Sequence, residues 1–396
     1  MVPAAATNDE IALYDRQIRL WGVQAQERIR SAKILLVSVK ALGTEIAKNL
    51  ILNGINSITI MDDGIVTDDD FGAQYFLREE DLGKNRAESA APRLQELNPR
   101  VSVQTDASDI RGKGPDFYVP FDMVIACDLD FSTLGQINAA CRISNKPFYA
   151  TGMHGFYGFI FADLISHEYI VEREMSNVTT VPGKAEAATR VVVEVTNKKE
   201  NGKNIEMVKK REFYSPLLLA NTSPLPQEYL RSRRRLKLVT PLLPCLRALW
   251  DFERNYGHMP SHTHEDLKKF TELATEKVKE LQMPIDSLRA DFLRSFLQNI
   301  GSELVPTAAF VGGRLSEDAI NVLGKREQPI QNLALFDGES FDGPIYALHP
   351  IFPEEQMAMP TFGAPAAPQA LQEQMPMANF INGNGMPQNQ GVFEIA

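Results

Sequence analysis

Cysteine is scarce in this chain. Of 396 residues only three are cysteines, Cys127, Cys141 and Cys245, too few and too scattered for a disulfide framework, and none sits in a Cys-x-x-Cys pair. A reducing intracellular compartment is expected. No stretch approaches the roughly 18 consecutive apolar residues of a membrane span, and residues 1–13 lack the basic and apolar regions of a signal peptide, so the reading is a soluble, unsecreted chain. Positive charge is also short. The formal net charge of −10 argues against a chain whose main business is coating nucleic acid or anionic membrane. Metal-ligand patterns are missing too. His258, His262 and His264 lie close together, but Met259-Pro260 interrupts any helix and no cysteine pair accompanies them, so they read as a polar loop and no metal site is expected. Each cysteine falls in an apolar setting without a His or Lys neighbour to lower its pKa, which excludes a thioester nucleophile here.

Glycine is missing where a dinucleotide-type fold would use it. Lys33 to Val39 is a continuous apolar run, the pattern of a strand covered on both faces. Leu42, Ile46 and Leu50 then recur at helical spacing, and Asn53-Gly54 supplies a stop. Ser57 to Met61 reads as a second strand, which completes a βαβ unit with Asp62 about twenty residues beyond the turn, where a ribose-binding acid would sit. The turn itself reads Ser38-Val39-Lys40-Ala41-Leu42-Gly43. In a G-x-G-x-x-G loop the leading glycines let backbone N–H groups approach phosphate, and the last lets the helix pack on the strand. Only Gly43, the packing glycine, is present. Val39 and Lys40 put side chains where phosphate needs bare backbone, so the loop builds a fold without a complete nucleotide site.

Further strands are predicted at Val101 to Gln104 and Met123 to Ala126, with a helix from Asn85 to Leu97. From Arg173 to Arg211 the chain turns polar around one β-rich run, Val191 to Val195, which reads as an inserted mobile hairpin. Leu242, Leu246, Leu249 and Phe252, then Leu267, Phe270 and Ala274, then Leu288, Phe292 and Phe296, have helical spacing. Leu333 to Phe336 reads as a last strand. Beyond about Pro353 the aperiodic Met-, Pro-, Gln- and Asn-rich composition cannot build a core. The expected organisation is a tail (1–13), a Rossmann-like half (14–172), a polar insertion (173–212), a helical subdomain (213–300), a return to the sheet (301–350) and a disordered tail (351–396).

The run Tyr14-Asp-Arg-Gln-Ile-Arg-Leu-Trp-Gly22, taken with the loop and Asp62, resembles the ubiquitin-like-protein activating enzymes. Gly72-Ala-Gln74, Leu82-Gly-Lys-Asn-Arg-Ala-Glu88, Leu97-Asn-Pro99 and Val311-Gly-Gly313 follow in family order. Within the family the resemblance is greatest to the SUMO branch and its subunit without a catalytic cysteine. It implies an α/β, Rossmann-like ThiF/MoeB adenylation fold with a mixed central sheet, in which two such units pair. It also implies a division of labour. The partner, the catalytic subunit, would bind ATP and Mg2+, adenylate the C-terminal glycine of SUMO and capture it as a thioester, with the SUMO-conjugating enzyme acting next. On this resemblance the chain would be a pseudo-adenylation half: the family's Asn-x-x-Arg-Gln becomes Asp70-Phe71-Gly72-Ala73-Gln74, its lysine becomes Arg86, and its magnesium-linked acid is matched by Asp128. Gly43, Asp62, Arg86 and Asp128 are thus vestiges of a cofactor site, and no cofactor is expected on this chain alone. The resemblance leaves Arg16 active, as an arginine supplied in trans to the partner's ATP phosphates, with Tyr14 and Trp21 packing its helix at the interface.

One strong basic run, Arg231-Ser232-Arg233-Arg234-Arg235-Leu236-Lys237, fits a nuclear import signal or a solvated face. Two other functions are weighed against the subunit reading. A self-sufficient homodimeric adenylyltransferase for a sulfur-carrier protein needs the absent loop glycines and arginine, and a nicotinamide-dependent oxidoreductase needs the loop and a hydride-transfer site.

Overall fold

The computed structural model describes residues 14–175, 180–200 and 202–350; the expected tails at 1–13 and 351–396 lie outside the described residues. Two helices, α1 (Asp15–Trp21) and α2 (Val23–Ser31), precede β1 (Lys33–Val37). In β1, Ile34 and Leu36 join the apolar core on one face of the sheet, while Leu35 and Val37 join the core on the other. That two-sided burial is why the run carries no polar alternation. The loop then enters α3 (Ala41–Leu52), which leads to β2 (Ser57–Met61), α4 (Arg86–Leu97) and β3 (Ser102–Asp106). Asn85 caps α4 by accepting the Glu88 N–H. From β4 (Met123–Cys127) the chain passes through α5 (Phe131–Ile143) to β5 (Phe148–His154) and β6 (Tyr157–Asp163).

These strands form a mixed eight-stranded sheet in the order β12-β11-β6-β5-β4-β1-β2-β3, closed late in the chain by β11 (Leu333–Asp337) and β12 (Ile345–Tyr346). β3, β2, β1, β4 and β5 pair in parallel, and β6, β11 and β12 add antiparallel. The chain leaves β1 toward β2 on one side and returns to β4 on the other. This is a topological switch point, and the crevice at its C-terminal ends is where open α/β sheets bind ligands.

The polar stretch differs from the single hairpin its sequence suggests. A second, antiparallel sheet runs in the order β7-β10-β9-β8, from β7 (Ser166–Glu174), β8 (Ala185–Ala187), β9 (Arg190–Glu200) and β10 (Lys203–Phe213). The inward positions of β10 are Glu206, Val208, Lys210 and Glu212, all buried. Three of the four are charged, so no apolar period marks the strand. Arg173 pairs with Glu206 at 3.1 Å, Lys210 with Glu186 at 2.7 Å, and Arg190 with Glu212. Buried charges of this kind persist only when paired.

Helices α6 (Leu242–Tyr256), α7 (His264–Glu280) and α8 (Ala290–Asn299) cover one face of the main sheet, with Leu249, Phe252, Phe270 and Phe296 buried there. Thr263 caps α7, so His264 begins a helix and does not share a loop with His258. Among the described residues no group of three or more His, Cys, Asp or Glu side chains could hold a metal ion. Helix α9 (Val305–Gly324) lies on the opposite face, where Asp318 accepts hydrogen bonds from the Tyr149 hydroxyl at 2.7 Å and the Ile330 N–H at 2.9 Å.

The β1–α3 junction allows no side chain at residue 43: a Cβ there would stand 2.1 Å from the Ser38 carbonyl oxygen. Gly43→Ala should therefore destabilise the chain by about 1–3 kcal/mol through overpacking against backbone. Urea unfolding of the two proteins checks this, and an unchanged midpoint would count against the close approach.

Candidate functional site

The crevice at the switch point lies between the loop after β1 and the end of β4. Ser38 (φ +69°) and Asp128 (φ +52°) both take the left-handed conformation there, one that side chains other than Gly, Asn and Asp seldom adopt. Asp62, at the end of β2, faces the loop, but its acceptors are already engaged. Its Oδ2 takes the Val39 N–H at 2.9 Å and its Oδ1 takes the Gly64 N–H at 2.8 Å. Arg86 Nη1 reaches both oxygens at 3.0 Å. The same guanidinium lies with Nε 2.9 Å from Asp70 Oδ1, and Arg86, Asp62 and Asp70 are all buried. Burial works against the Arg86 charge, but Asp62 and then Asp70 outweigh it and raise its pKa.

Gln74 braces the loop from the other side. Its Nε2 donates to the Val39 carbonyl at 3.0 Å, and its Oε1 accepts the Phe76 N–H at 2.8 Å. Glu303, just before α9, completes the closure. Its Oε2 accepts the Ala41 N–H at 3.3 Å, and its Oε1 lies 3.8 Å from Lys40 Nζ. A carboxylate of the chain itself thus occupies the N-terminal end of α3, where the helix dipole and free N–H groups would otherwise favour a phosphate. A triphosphate does not fit this arrangement. The Val39 and Ala41 N–H groups are taken, and Arg86 is neutralised by two acids.

Asp128 lies across the crevice. Its Oδ1 accepts the Met153 N–H at 2.9 Å, while its Oδ2 is shielded from water and has no partner. Burial and then the negative charge of Glu303 push its pKa up to about 7, partly offset by the Met153 hydrogen bond and by Lys40. The folded chain therefore holds a proton on Asp128 that an unfolded carboxyl, with pKa near 3.9, has released. Its contribution to stability is full below about pH 4 and is lost as pH rises to about 7.

The sequence-identified residues divide into two places. Gly43, Asp62, Arg86 and Asp128 line the crevice, and Arg16 stands outside it on α1. Arg16 is exposed, and no hydrogen bond or ion pair holds it among the described residues; Arg19 on the same helix pairs with Asp15 at 2.9 Å. Tyr14 does not face outward as an interface residue, because it is buried within this chain. Trp21 is half-buried, its Nε1–H donating to Gln26 Oε1 at 2.8 Å. All three cysteines are buried, and burial raises each thiol pKa. Two contributors to the closure, Glu303 and Asp70, carry no separate sequence signal: Glu303 arrives from some 260 positions away, and Asp70 shows only as a replaced Asn.

Replacing Asp128 with Asn removes the ionisation while keeping an oxygen for the Met153 N–H. The thermal midpoint of Asp128→Asn should exceed that of the parent at pH 8, with the gap closing toward pH 5. A pH-independent difference would refute the assignment.

Comparison with known proteins agrees with this architecture. A family model described as "ThiF family" matches residues 14–356. The chain is 36% identical to the DNA damage tolerance protein RHC31 of Saccharomyces cerevisiae over 86% of this chain and 97% of that protein. It is 33% identical to SUMO-activating enzyme subunit 1 of Homo sapiens, over 87% and 96%. With the DNA damage tolerance protein rad31 of Schizosaccharomyces pombe the identity is 35%, over 86% and 97%. The chain belongs to the ThiF family.

Proposed function

We propose that this chain is the subunit of a heterodimeric SUMO-activating enzyme that carries no catalytic cysteine and completes the adenylation site of its partner. One observation carries the reading: the crevice of this chain is closed by its own Asp62–Arg86–Asp70 network and by Glu303, while Arg16 is exposed on α1 with no ion pair among the described residues. ATP and Mg2+ then belong to the catalytic subunit. There the C-terminal carboxylate of SUMO attacks the α-phosphorus and pyrophosphate leaves. Arg16, entering from this chain, offers planar N–H donors to phosphate oxygens as charge builds on them. Thioester formation on the partner's cysteine and transfer to the SUMO-conjugating enzyme follow.

The surface around Arg16 supports a partner there. Leu20 on α1 and Val23 on α2 are exposed, and α1 borders a groove of about 460 Å3 lined by Leu20, Trp21 and residues of α9 that include Gly313, Glu317 and Ile320. Such apolar surface next to charged residues suits a protein interface. The closed crevice weighs against a self-sufficient adenylyltransferase for a sulfur-carrier protein and against a nicotinamide-dependent oxidoreductase, since both need a phosphate-holding loop in this chain. The basic run is exposed at Arg231, Arg233, Arg234, Arg235 and Lys237, and among the described residues only Arg235 has an acidic partner, Glu228. Nuclear import is the role proposed for it, with some protein remaining in the cytoplasm.

In the reconstituted heterodimer, Arg16→Ala should lower the rate of SUMO-dependent ATP–pyrophosphate exchange by roughly a hundredfold, with the complex intact. The isolated chain should show no saturable ATP binding by calorimetry. An unchanged exchange rate, or tight ATP binding by this chain alone, rejects the reading. Substituting Arg233, Arg234 and Arg235 together by Ala should move a fluorescent fusion from nucleus to cytoplasm; an unaltered distribution rejects the import role.

A further inference from the structure

Three short features far apart in the sequence meet beneath the helix that bears Arg16. They are Tyr14, the Asn53-Gly54 stop after α3, and Asn98 in the Leu97-Asn98-Pro99 run. Asn98 is buried, and its Nδ2 donates to the Tyr14 hydroxyl at 2.9 Å and to the Ile51 carbonyl at 3.0 Å, while its Oδ1 accepts the Arg100 N–H at 3.2 Å. With both ends engaged, the amide has one orientation. Gly54 lies against the same ring. Its φ is +75°, and a Cβ there would stand 2.4 Å from the Tyr14 hydroxyl oxygen and 2.5 Å from Cζ. No other residue leaves room for the Tyr14 ring. Next to this contact, Gln17 Nε2 donates to Asn53 Oδ1 at 3.2 Å.

Helix α1 depends on these contacts. It spans seven residues, buries none of them, and has no side-chain cap at its N-terminus. Fewer than two turns do not hold a helix in water, and the exposed Arg19–Asp15 pair adds little. At its far end the Trp21–Gln26 hydrogen bond joins it to α2, and the Gly22 N–H closes its last turn on the Ile18 carbonyl. The direction in which α1 carries Arg16 is therefore set at its start, two residues before the arginine, by the buried Tyr14.

We infer that Tyr14, Gly54 and Asn98 are positioning residues for Arg16: the pocket formed by Gly54 and Asn98 clamps the Tyr14 ring and fixes the line along which the guanidinium is presented. This inference rests on the reading of Arg16 as an arginine supplied in trans. A group held in its reactive position adds to turnover because ordering is complete before the reaction begins. Loosening the clamp acts on kcat through Arg16 and leaves the KM for ATP in place, because the partner holds the nucleotide.

The test uses the heterodimer of this chain with its catalytic subunit, assayed by SUMO-dependent ATP–pyrophosphate exchange. Tyr14→Phe keeps the ring and loses only the hydroxyl that Asn98 donates to; it should lower kcat about fivefold, the scale of one net hydrogen bond, without change in KM for ATP. Gly54→Ala, which displaces the ring, should lower kcat further. In an Arg16→Ala background neither change should reduce kcat any more. If Arg16→Ala is itself silent, the trans-arginine reading and this inference both fall. If Arg16→Ala is damaging but Tyr14→Phe is silent, raises KM, or adds its full loss on top of Arg16→Ala, the positioning role alone is overturned.

Discussion

The Asp62 carboxylate accepts more than any other acid at the switch point, and the crevice owes its form to that. Two backbone N–H groups and a guanidinium converge on it. The Val39 N–H fixes the loop after β1, the Gly64 N–H fixes the turn after β2, and Arg86 ties the start of α4 to both and to Asp70. A carboxylate with these partners is satisfied where it stands and has little capacity left for a ribose hydroxyl. Each member is buried, so removing one leaves an uncompensated charge in the interior. The network holds the parallel half of the sheet to its first helices by the same contacts that engage the Val39 N–H and Arg86.

Much of the fold is legible in the sequence where burial is two-sided or helical spacing is long. The run Lys33 to Val39 and the strands at Ser57 and Met123 announce themselves because the residues facing both cores are apolar, and α3 does so through Leu42, Ile46 and Leu50. Gly43 is also legible, since only close packing of helix on strand calls for it when the phosphate glycines are gone. The second sheet is legible only at Val191 to Val195, which lies in β9. Glu206, Lys210 and Glu212 occupy inward positions that a hydrophobic period would mark, and their counter-ions Arg173, Glu186 and Arg190 lie on other strands.

The site divides in the same way. That Val39 and Lys40 crowd a phosphate loop is a local fact and can be read directly. That Glu303 fills the end of α3, or that Asn98 clamps Tyr14, depends on contacts across some 260 and 84 positions of chain, which no local pattern encodes. The Leu97-Asn98-Pro99 run illustrates the difference: as text it is a family signature without chemistry, and in the fold it is half of a socket. Tyr14 is the opposite case, a residue whose neighbours in sequence suggest an interface and whose surroundings in space are the chain's own interior.

Glu303 at the end of α3 has a consequence for the assembly as a whole. A pair of adenylation units in which both crevices were open would hold two nucleotides, and occupancy of one could bias the other. With one crevice stoppered from within, the proposed heterodimer has a single nucleotide port, so its saturation by ATP follows a simple hyperbola with no interplay between halves. On the proposed reading, two copies of this chain paired together would present two arginines to two stoppered crevices. In the proposed heterodimer the stopper would thus leave the nucleotide to the other half alone.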